Sequence, residues 1–173
     1  MKVTMTNAVV RVKLNSSIDL RTIAQKGTFI EYNPHKFSGM IWHHRRLGGT
    51  CLVFSTGQLI CHGAKSWQDA RKVARRYARK IQLLLEKPDL SVQSITRLSG
   101  TLLVDLGGAL DLQQLPKLMN AQYEPELFNA ATFKRDGIHF SCFSSGKVIV
   151  AGVKSTSSVF PTLMELSLLI ASS

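Results

Sequence analysis

The sequence has few cysteines and no long apolar run. Its three cysteines, Cys51, Cys61 and Cys142, are odd in number and lack CxxC spacing. This spacing argues against a disulfide framework or a zinc site and predicts a reducing compartment. No apolar run approaches the roughly 20 residues that a membrane span needs, and the first seven residues show no signal-peptide core. We therefore expect an intracellular protein with no membrane partner.

Acidic residues are scarce in only one half of the chain. Residues 1–88 hold 16 Lys and Arg against 4 Asp and Glu, whereas residues 89–173 hold 6 against 7. The net charge is +11, and 45% of the residues are apolar, which is enough for an ordinary core. A basic half beside a neutral half indicates a polyanion partner, an acidic protein partner, or both.

Patterns typical of catalysis are also missing. No Ser/His/Asp arrangement, phosphate-binding loop or pair of carboxylates stands in a suitable context. The adjacent His43 and His44 have no second cluster of metal ligands. We predict that the chain is not an enzyme and that it holds neither metal nor cofactor.

What the sequence does contain is an internal repeat. Residues 54–66 align without gaps to residues 143–155 with seven of 13 positions identical, and residues 31–37 match residues 122–128. The unit of about 85–90 residues is too long for a solenoid repeat. Two copies predict a pseudo-twofold protein with a boundary near Pro88, dividing residues 1–88 from residues 89–173.

Each repeat has the pattern of an α+β unit. Strands are expected at Asn7–Leu14, Phe29–Tyr32, Phe37–His43, Thr50–Phe54 and Leu59–His62. A short helix is expected at Asp19–Lys26. A long helix capped by Ser66 should run to Lys87, because its apolar residues recur at i, i+3, i+4 and i+7. The second repeat should end in a helix at Ser157–Ile170 with Pro161 in its first turn.

Five phrases in this order resemble the core domain of the TATA-box-binding protein family over almost all of the chain. They are Glu31-Tyr32-Asn33-Pro34-x-x-Phe37, Phe54-Ser55-x-Gly57, Gly63-Ala64-Lys65-Ser66, Ala74-Arg75-x-Tyr77-Ala78-Arg79 and Tyr123-Glu124-Pro125-Glu126-Leu127-Phe128. The resemblance implies a pseudo-twofold saddle. Its curved, antiparallel, ten-stranded sheet would have a concave DNA-facing side, and four helices would cover the convex side.

The resemblance also implies which side chains meet DNA. Two pairs of Phe would wedge between base steps and kink the duplex, a mechanism for which this family is a standard example; they are Phe37, Phe54, Phe128 and Phe143. Strand alternation and the family pattern together give the groove-facing set Asn7, Val9, Leu52, Ile60, His62, Ser94, Thr96, Ser141, Ile149 and Ala151. Phosphate contacts are expected from Lys36, His43, Thr56, Lys65, Lys134, Ser145, Lys147 and Lys154.

Some groove-facing positions depart from the family pattern. Ser94 is taken as the counterpart of the central Asn7, Thr96 and Ser141 stand where the family has Val and Leu, and His62 and Ala151 replace Thr. These departures leave the TATA preference open, because the minor groove distinguishes little beyond A·T from G·C. The stretch between Phe128 and Phe143 is two residues shorter than that between Phe37 and Phe54, which predicts one trimmed stirrup.

Two partner surfaces follow from the resemblance. Glu124, Glu126 and Leu127 match the stirrup that receives transcription factor IIB or its relatives. The basic positions of the long helix match the surface that receives transcription factor IIA; they are Arg71, Lys72, Arg75, Arg76, Arg79 and Lys80. Other factors associated with the family, and a weak homodimer through the concave face, are the remaining expected partners.

The expected function is that of a nuclear general transcription initiation factor. It would bind double-stranded promoter DNA through the minor groove, kink it, and nucleate the preinitiation complex. Two alternatives stay open. The chain could be a related-factor paralogue with weak DNA affinity that acts as a protein-interaction module, or a nonspecific architectural DNA-binding protein.

Overall fold

The computed structural model describes residues 1–171, which form nine strands, four α-helices and one short 3-10 helix. The strands are β1 (Lys2–Leu14), β2 (Ile30–Glu31), β3 (Met40–Trp42), β4 (Thr50–Val53), β5 (Gln58–Ala64), β6 (Val92–Asp105), β7 (Ala130–Arg135), β8 (Ile138–Phe143) and β9 (Lys147–Val153). The helices are α1 (Leu20–Lys26), α2 (Trp67–Leu84), α3 (Leu115–Met119) and α4 (Phe160–Ala171), and the 3-10 helix is Thr156–Ser158. Among them no helix is both long and apolar enough to cross a membrane.

All nine strands belong to one antiparallel sheet, which confirms the predicted α+β class. The strand order is β2-β3-β4-β5-β1 in the first repeat and β6-β9-β8-β7 in the second. The same hairpin order therefore occurs twice, as the internal repeat of the sequence predicts.

The resemblance implied ten strands, and the described chain has nine. The counterpart of β2 is reduced to a single bridge between Gln122 and Thr132. Its neighbour Ala121 still donates its N–H to the carbonyl of Leu115 in α3, at 3.4 Å. In the first unit the N–H of His43 donates to the carbonyl of Phe29 at 3.0 Å, whereas within residues 1–171 no matching bond joins Lys134 to Asn120, so this ladder does not extend to a second pair.

The chain folds as two compact units. The first unit is Asn7–Leu98, and the second unit combines Met1–Thr6 with the chain from Ser99 onward. These limits differ from the repeat boundary near Pro88, which remains a prediction about the duplication.

The first unit buries one side of its strands and leaves the other side exposed. Residues Ala8, Val10, Val12, Cys51, Val53, Leu59 and Cys61 are buried, and they alternate with more exposed neighbours. From α2 the unit buries Ala70, Ala74, Tyr77, Ala78 and Ile81. The ring of Tyr77 lies edge-on against Trp42, with centroids 5.4 Å apart, so α2 packs on the buried side of the strands.

The second unit repeats this arrangement. One cluster joins Leu102 and Val104 of β6, Val148 and Val150 of β9, and Leu163 of α4. Phe133 and Phe140 stack in it with centroids 4.9 Å apart. These two rings are core residues, which separates them from the four Phe expected to meet DNA.

Two predicted helices, α1 and α2, begin where their capping residues indicate, whereas α4 begins at Phe160, three residues after the predicted Ser157. Asp19 accepts a hydrogen bond from the N–H of Arg21, and Ser66 accepts one from the N–H of Asp69 at 3.0 Å. The long helix ends at Leu84, three residues before the predicted Lys87. The strand predicted at Phe37–His43 is also shorter, because Phe37 lies in a turn before β3.

Candidate nucleic-acid interface

The four predicted wedge residues form two ring pairs of matching geometry. In the first unit Phe37 and Phe54 meet edge to face, with centroids 5.8 Å apart and planes inclined by 75°. In the second unit Phe128 and Phe143 do the same at 6.2 Å and 74°. Phe37 is 38% exposed and Phe128 is 50% exposed. Each unit therefore presents one solvent-accessible aromatic pair.

The first member of each pair is fixed by the same turn. The N–H of Phe37 donates to the carbonyl of Asn33 at 3.0 Å, and the N–H of Phe128 donates to the carbonyl of Glu124 at 2.9 Å. Proline follows the acceptor residue in both turns, as suits the second position of a turn. This repeated frame explains why the two rings occupy equivalent places.

The second member of each pair stands at the mouth of a tight hairpin. The N–H of Gly57 donates to the carbonyl of Phe54, and the N–H of Gly146 donates to that of Phe143. Both glycines have φ near +80°, the left-handed region that glycine adopts without penalty, at +86° and +78°. The Phe-Ser-x-Gly phrase of each repeat thus builds the turn that positions its ring.

The trimmed stirrup expected from the shorter Phe128–Phe143 stretch is wrong in its location. Both turns that carry the first ring are intact. The shortening lies at the other end of the hairpin, where Asp136 and Gly137 alone connect β7 to β8. The corresponding connection between β3 and β4 runs from His43 to Gly49. Two left-handed residues at the short turn, with φ of 50° and 79°, fit a tight two-residue hairpin.

The exposed side of the strands in the first unit carries the predicted groove-facing residues. Leu52, Ile60 and His62 are half-buried, whereas their neighbours Cys51 and Cys61 are fully buried. Leu52 lies directly opposite Ile60 in the ladder. Asn7 accepts a hydrogen bond from the N–H of Gly63 at 2.8 Å through its amide oxygen. Its amide N–H groups therefore remain as donors on this side.

The strand register changes two assignments in the second repeat. Val12 pairs with Leu59 in the first unit, and Val104 pairs with Val148 in the second. Because Leu59 and Val148 are equivalent in the repeat, β6 is offset from β1 by 92 residues.

The counterparts of Asn7 and Val9 are consequently Ser99 and Thr101, and not Ser94 and Thr96. Ser94 and Thr96 are exposed residues nearer the start of β6. The phrases Asp19-Leu20-x-x-Ile23 and Asp111-Leu112-x-x-Leu115 carry the same offset of 92 and are the sequence signal for it. Ser99 and Thr101 have the same residue types as Ser94 and Thr96, so the groove-facing chemistry is unchanged.

The remaining groove-facing residues of the second unit lie on the expected side. Ser141 and Ala151 are half-buried, and Ile149 is 39% exposed. Cys142, Val148 and Val150 alternate with them and are fully buried. The side opposite the core is therefore available to a ligand along both β8 and β9.

The predicted phosphate contacts are on the surface. Lys36, Lys65, Lys134, Lys147, Lys154, Thr56 and Ser145 are all exposed. His43 differs in its surroundings, because its Nδ1 lies 3.1 Å from the Thr50 hydroxyl and its Nε2 lies 3.7 Å from a Glu31 carboxylate oxygen. That carboxylate would repel a phosphate, so His43 is the weakest member of the set.

The predicted partner residues are also accessible. Glu124 and Glu126 are exposed, and Leu127 is 81% exposed on the same turn. On α2 the six cations are exposed except Lys80, which is half-buried. Lys72 lies 3.8 Å from Asp69, and Arg79 hydrogen-bonds Gln82. The helix thus presents a basic surface with one acidic residue in its first turn.

The strongly shifted pKa values belong to buried structural groups. Burial raises the pKa of the Tyr77 phenol to about 12 and that of the Cys142 thiol to about 12. Burial also raises the pKa of Cys51, whose Sγ lies 3.3 Å from that of Cys61. These groups stay neutral near pH 7, and none of them lies on the exposed side of the strands.

Comparisons with known proteins agree with this arrangement. A family model described as "Transcription factor TFIID (or TATA-binding protein, TBP)" matches residues 2–84 and 100–166.

Individual relatives extend the match. The TATA box-binding protein-like 2 of Mus musculus is 34% identical over 157 residues, covering 89% of this chain and 45% of that protein. The TATA-box-binding protein of Spodoptera frugiperda is 37% identical over 150 residues, covering 86% of this chain and 49% of that protein. The chain spans about half the length of the curated relatives it matches.

A solved structure covers the whole chain. The Methanococcus jannaschii TBP has a TM-score of 0.84 at 26% identity, and the match covers 100% of both chains. Together with the family model, this structure confirms the resemblance that the repeated phrases indicated. The chain belongs to the TATA-binding-protein family.

Proposed function

We propose that this chain is the DNA-binding core of a general transcription initiation factor. It binds promoter DNA in the minor groove, kinks it with the two Phe pairs, and nucleates assembly of the preinitiation complex in the nucleus. The observation that carries the proposal is the equivalence of the two ring pairs, which share spacing, inclination and turn hydrogen bonds.

The mechanism requires little chemistry beyond apolar contact and shape. A ring that enters a base step replaces base–base stacking with base–ring stacking, and two such steps bend the duplex. Apolar residues such as the half-buried Leu52 and the exposed Ile149 then meet the floor of the opened groove. Exposed cations at the rim neutralise phosphates and position the protein without selecting sequence.

Family membership supports the role in transcription initiation, and two exposed charged surfaces suit the expected partner proteins. The acidic turn with Leu127 suits a basic domain of a factor-IIB-like protein. The basic surface of α2 suits an acidic segment of a factor-IIA-like protein, because opposite charges steer association. Other family-associated factors and a weak homodimer through the DNA-facing side belong to the same proposal.

One observation favours a second candidate function. His62 places a bulky ring, and Thr101 and Ser141 place hydroxyls, on the side that would meet DNA. A paralogue with weakened DNA affinity would retain the turn of Glu124 and Leu127 and act mainly as a protein-interaction module.

Titration of A·T-rich and G·C-rich duplexes at two salt concentrations separates these functions. The proposal predicts saturable binding that prefers A·T-rich DNA and weakens with salt as phosphate contacts are lost. A nonspecific architectural protein would bind both duplexes equally. No binding at moderate salt, together with capture of a factor-IIB-like partner that Leu127→Glu abolishes, would support the interaction module and contradict the proposal.

A further inference from the structure

Each unit carries a row of side chains across the exposed side of its own strands, and the two rows match. In the first unit Ile41 lies opposite Leu52, and Leu52 lies opposite Ile60. We call Ile41, Leu52 and Ile60 the apolar row. In the second unit Thr132 lies opposite Ser141, and Ser141 lies opposite Ile149. We call Thr132, Ser141 and Ile149 the hydroxyl row.

The rows are equivalent position by position. The ladder partners Met40–Val53 and Ala131–Cys142 occupy matching places, which makes Ile41 the counterpart of Thr132. Ile60 and Ile149 are the same residue type and serve as an internal reference. The rows therefore differ only in exchanging two branched apolar side chains for two hydroxyls.

The surroundings of the two hydroxyls leave them available to a ligand. Thr132 and Ser141 are both half-buried, and the residues that follow them in the chain, Phe133 and Cys142, belong to the core. Within residues 1–171, neither hydroxyl makes a side-chain hydrogen bond to the protein. Opposed residues of adjacent strands lie close enough to act on one base pair or two neighbouring ones.

The minor groove gives this difference a chemical meaning. A·T pairs present only acceptors there, whereas a G·C pair adds the 2-amino group of guanine, the sole base-edge donor. An apolar row cannot accept a hydrogen bond from that group, and covering it unpaired is unfavourable. A hydroxyl can accept from guanine and can also donate to the acceptors of A·T pairs.

We propose that the two units select different half-sites. The apolar row requires A·T pairs, and the hydroxyl row accommodates a G·C pair. Thr132 and Ser141 are thus specificity-determining residues, and a G·C pair is tolerated in only one half of the target. This inference rests on the proposed function, since it assumes that the exposed face meets the minor groove.

Competition binding with three duplexes tests the inference. The first has an A·T-only palindromic core, the second has one G·C pair in one half, and the third has one G·C pair in each half. The protein can turn around on the second duplex and place its hydroxyl row on the G·C pair. Its affinity there should stay within about threefold of the first duplex, and should fall about tenfold on the third, the scale of one mismatched pair.

Two double variants supply the matched controls. Thr132→Ile with Ser141→Leu copies the apolar row and should weaken binding to the second duplex about tenfold relative to the first duplex. The reverse change, Ile41→Thr with Leu52→Ser, should recover binding to the third duplex. Thermal unfolding of each variant verifies that it is folded.

The outcomes distinguish failure of the half-site inference from failure of the proposed DNA-binding function. The half-site inference alone is overturned if the affinity ratio between the first and second duplexes is the same for the unmodified protein and for the Thr132→Ile, Ser141→Leu variant. If the unmodified protein binds none of the three duplexes, the proposed function is wrong and the inference falls with it.

Discussion

Phe37, in the turn before β3, and Phe54, at the end of β4, meet edge to face with ring centroids 5.8 Å apart. One ring is held by a turn and the other by a strand end, so neither position depends on the other ring. The contact covers part of both rings. A kinked base step would replace that contact with base stacking, at little cost in newly exposed apolar surface.

Gly39 lies directly beneath this ring pair. A Cβ at position 39 would lie 2.8 Å from Cε1 of Phe37 and 2.9 Å from Cε1 of Phe54. Its counterpart in the second unit is Ala130, beside rings that are 6.2 Å apart. We expect Gly39→Ala to move the rings apart slightly and to change DNA affinity by no more than about threefold, whereas Gly39→Val should lower affinity about tenfold. Fluorescence titration measures both, and equal loss for Ala and Val would contradict this reasoning.

Phe29 adopts a left-handed backbone conformation with φ of 62°. Its counterpart in the second repeat is Asn120, at φ of 52°, a residue type that tolerates this region. Phe29 is also 62% exposed, so its ring contributes little packing to offset the strain. Phe29→Asn should therefore raise the free energy of unfolding by about 1 kcal/mol. Urea unfolding measures the change, with Phe160→Asn as an exposed aromatic control at an ordinary φ; a loss of stability in Phe29→Asn would show that the ring has a structural role.

Ionisation of Tyr77 makes the free energy of unfolding depend on pH above about pH 10. Its hydroxyl accepts from the N–H of His44 and lies 3.2 Å from the carbonyl oxygens of Trp42 and Gly49. Burial raises the phenol pKa from 10.0 to about 12, so the unfolded chain ionises first. The stabilisation from the neutral phenol is complete below pH 10 and is lost as pH rises toward 12.

Tyr77→Phe removes that dependence together with the hydrogen bonds. The variant should be about 1–3 kcal/mol less stable near pH 8, because His44 and the two carbonyls lose a buried partner. The difference in free energy of unfolding between the unmodified protein and the variant should narrow by about 1.4 kcal/mol between about pH 8 and about pH 11. Cys142 titrates in both proteins and cancels in the difference. Urea unfolding over this range would contradict the assignment if the difference stayed constant.

Local phrases in the sequence predict most of the fold, because each has a physical reason to form. Ser66 caps α2, and the Phe-Ser-x-Gly phrases build their hairpins. The register of β6 is harder to predict from the alternation of residues. The pairing shifts between Ala8 and Val10 in the β1–β5 ladder and between Gly100 and Thr101 in the β6–β9 ladder. The tenth strand is missing from residues 1–171 because Lys134 and Asn120 do not pair as His43 and Phe29 do, a difference that no local pattern indicates.

The parts of the candidate site that occur in both repeats could be predicted from the sequence. A pair of Phe and the turns that hold it occur once in each repeat in equivalent contexts, so each copy supports the other. His43 had no such support, and its contact with Glu31 only emerges when β2 and β3 pair. The difference between the apolar row and the hydroxyl row requires the ladder register, since Thr132 and Ser141 lie on separate strands.

Bending of a short duplex tests the wedge mechanism most directly. Energy transfer between dyes on the two DNA ends should rise when the protein binds, because a kink shortens the end-to-end distance. Phe143→Ala should reduce that rise, whereas Phe140→Leu, which alters a core ring, should leave the bend of the bound DNA unchanged in folded protein. Saturated binding without a rise in transfer, or equal reductions for the two variants, would contradict the assignment of the Phe pairs as wedges.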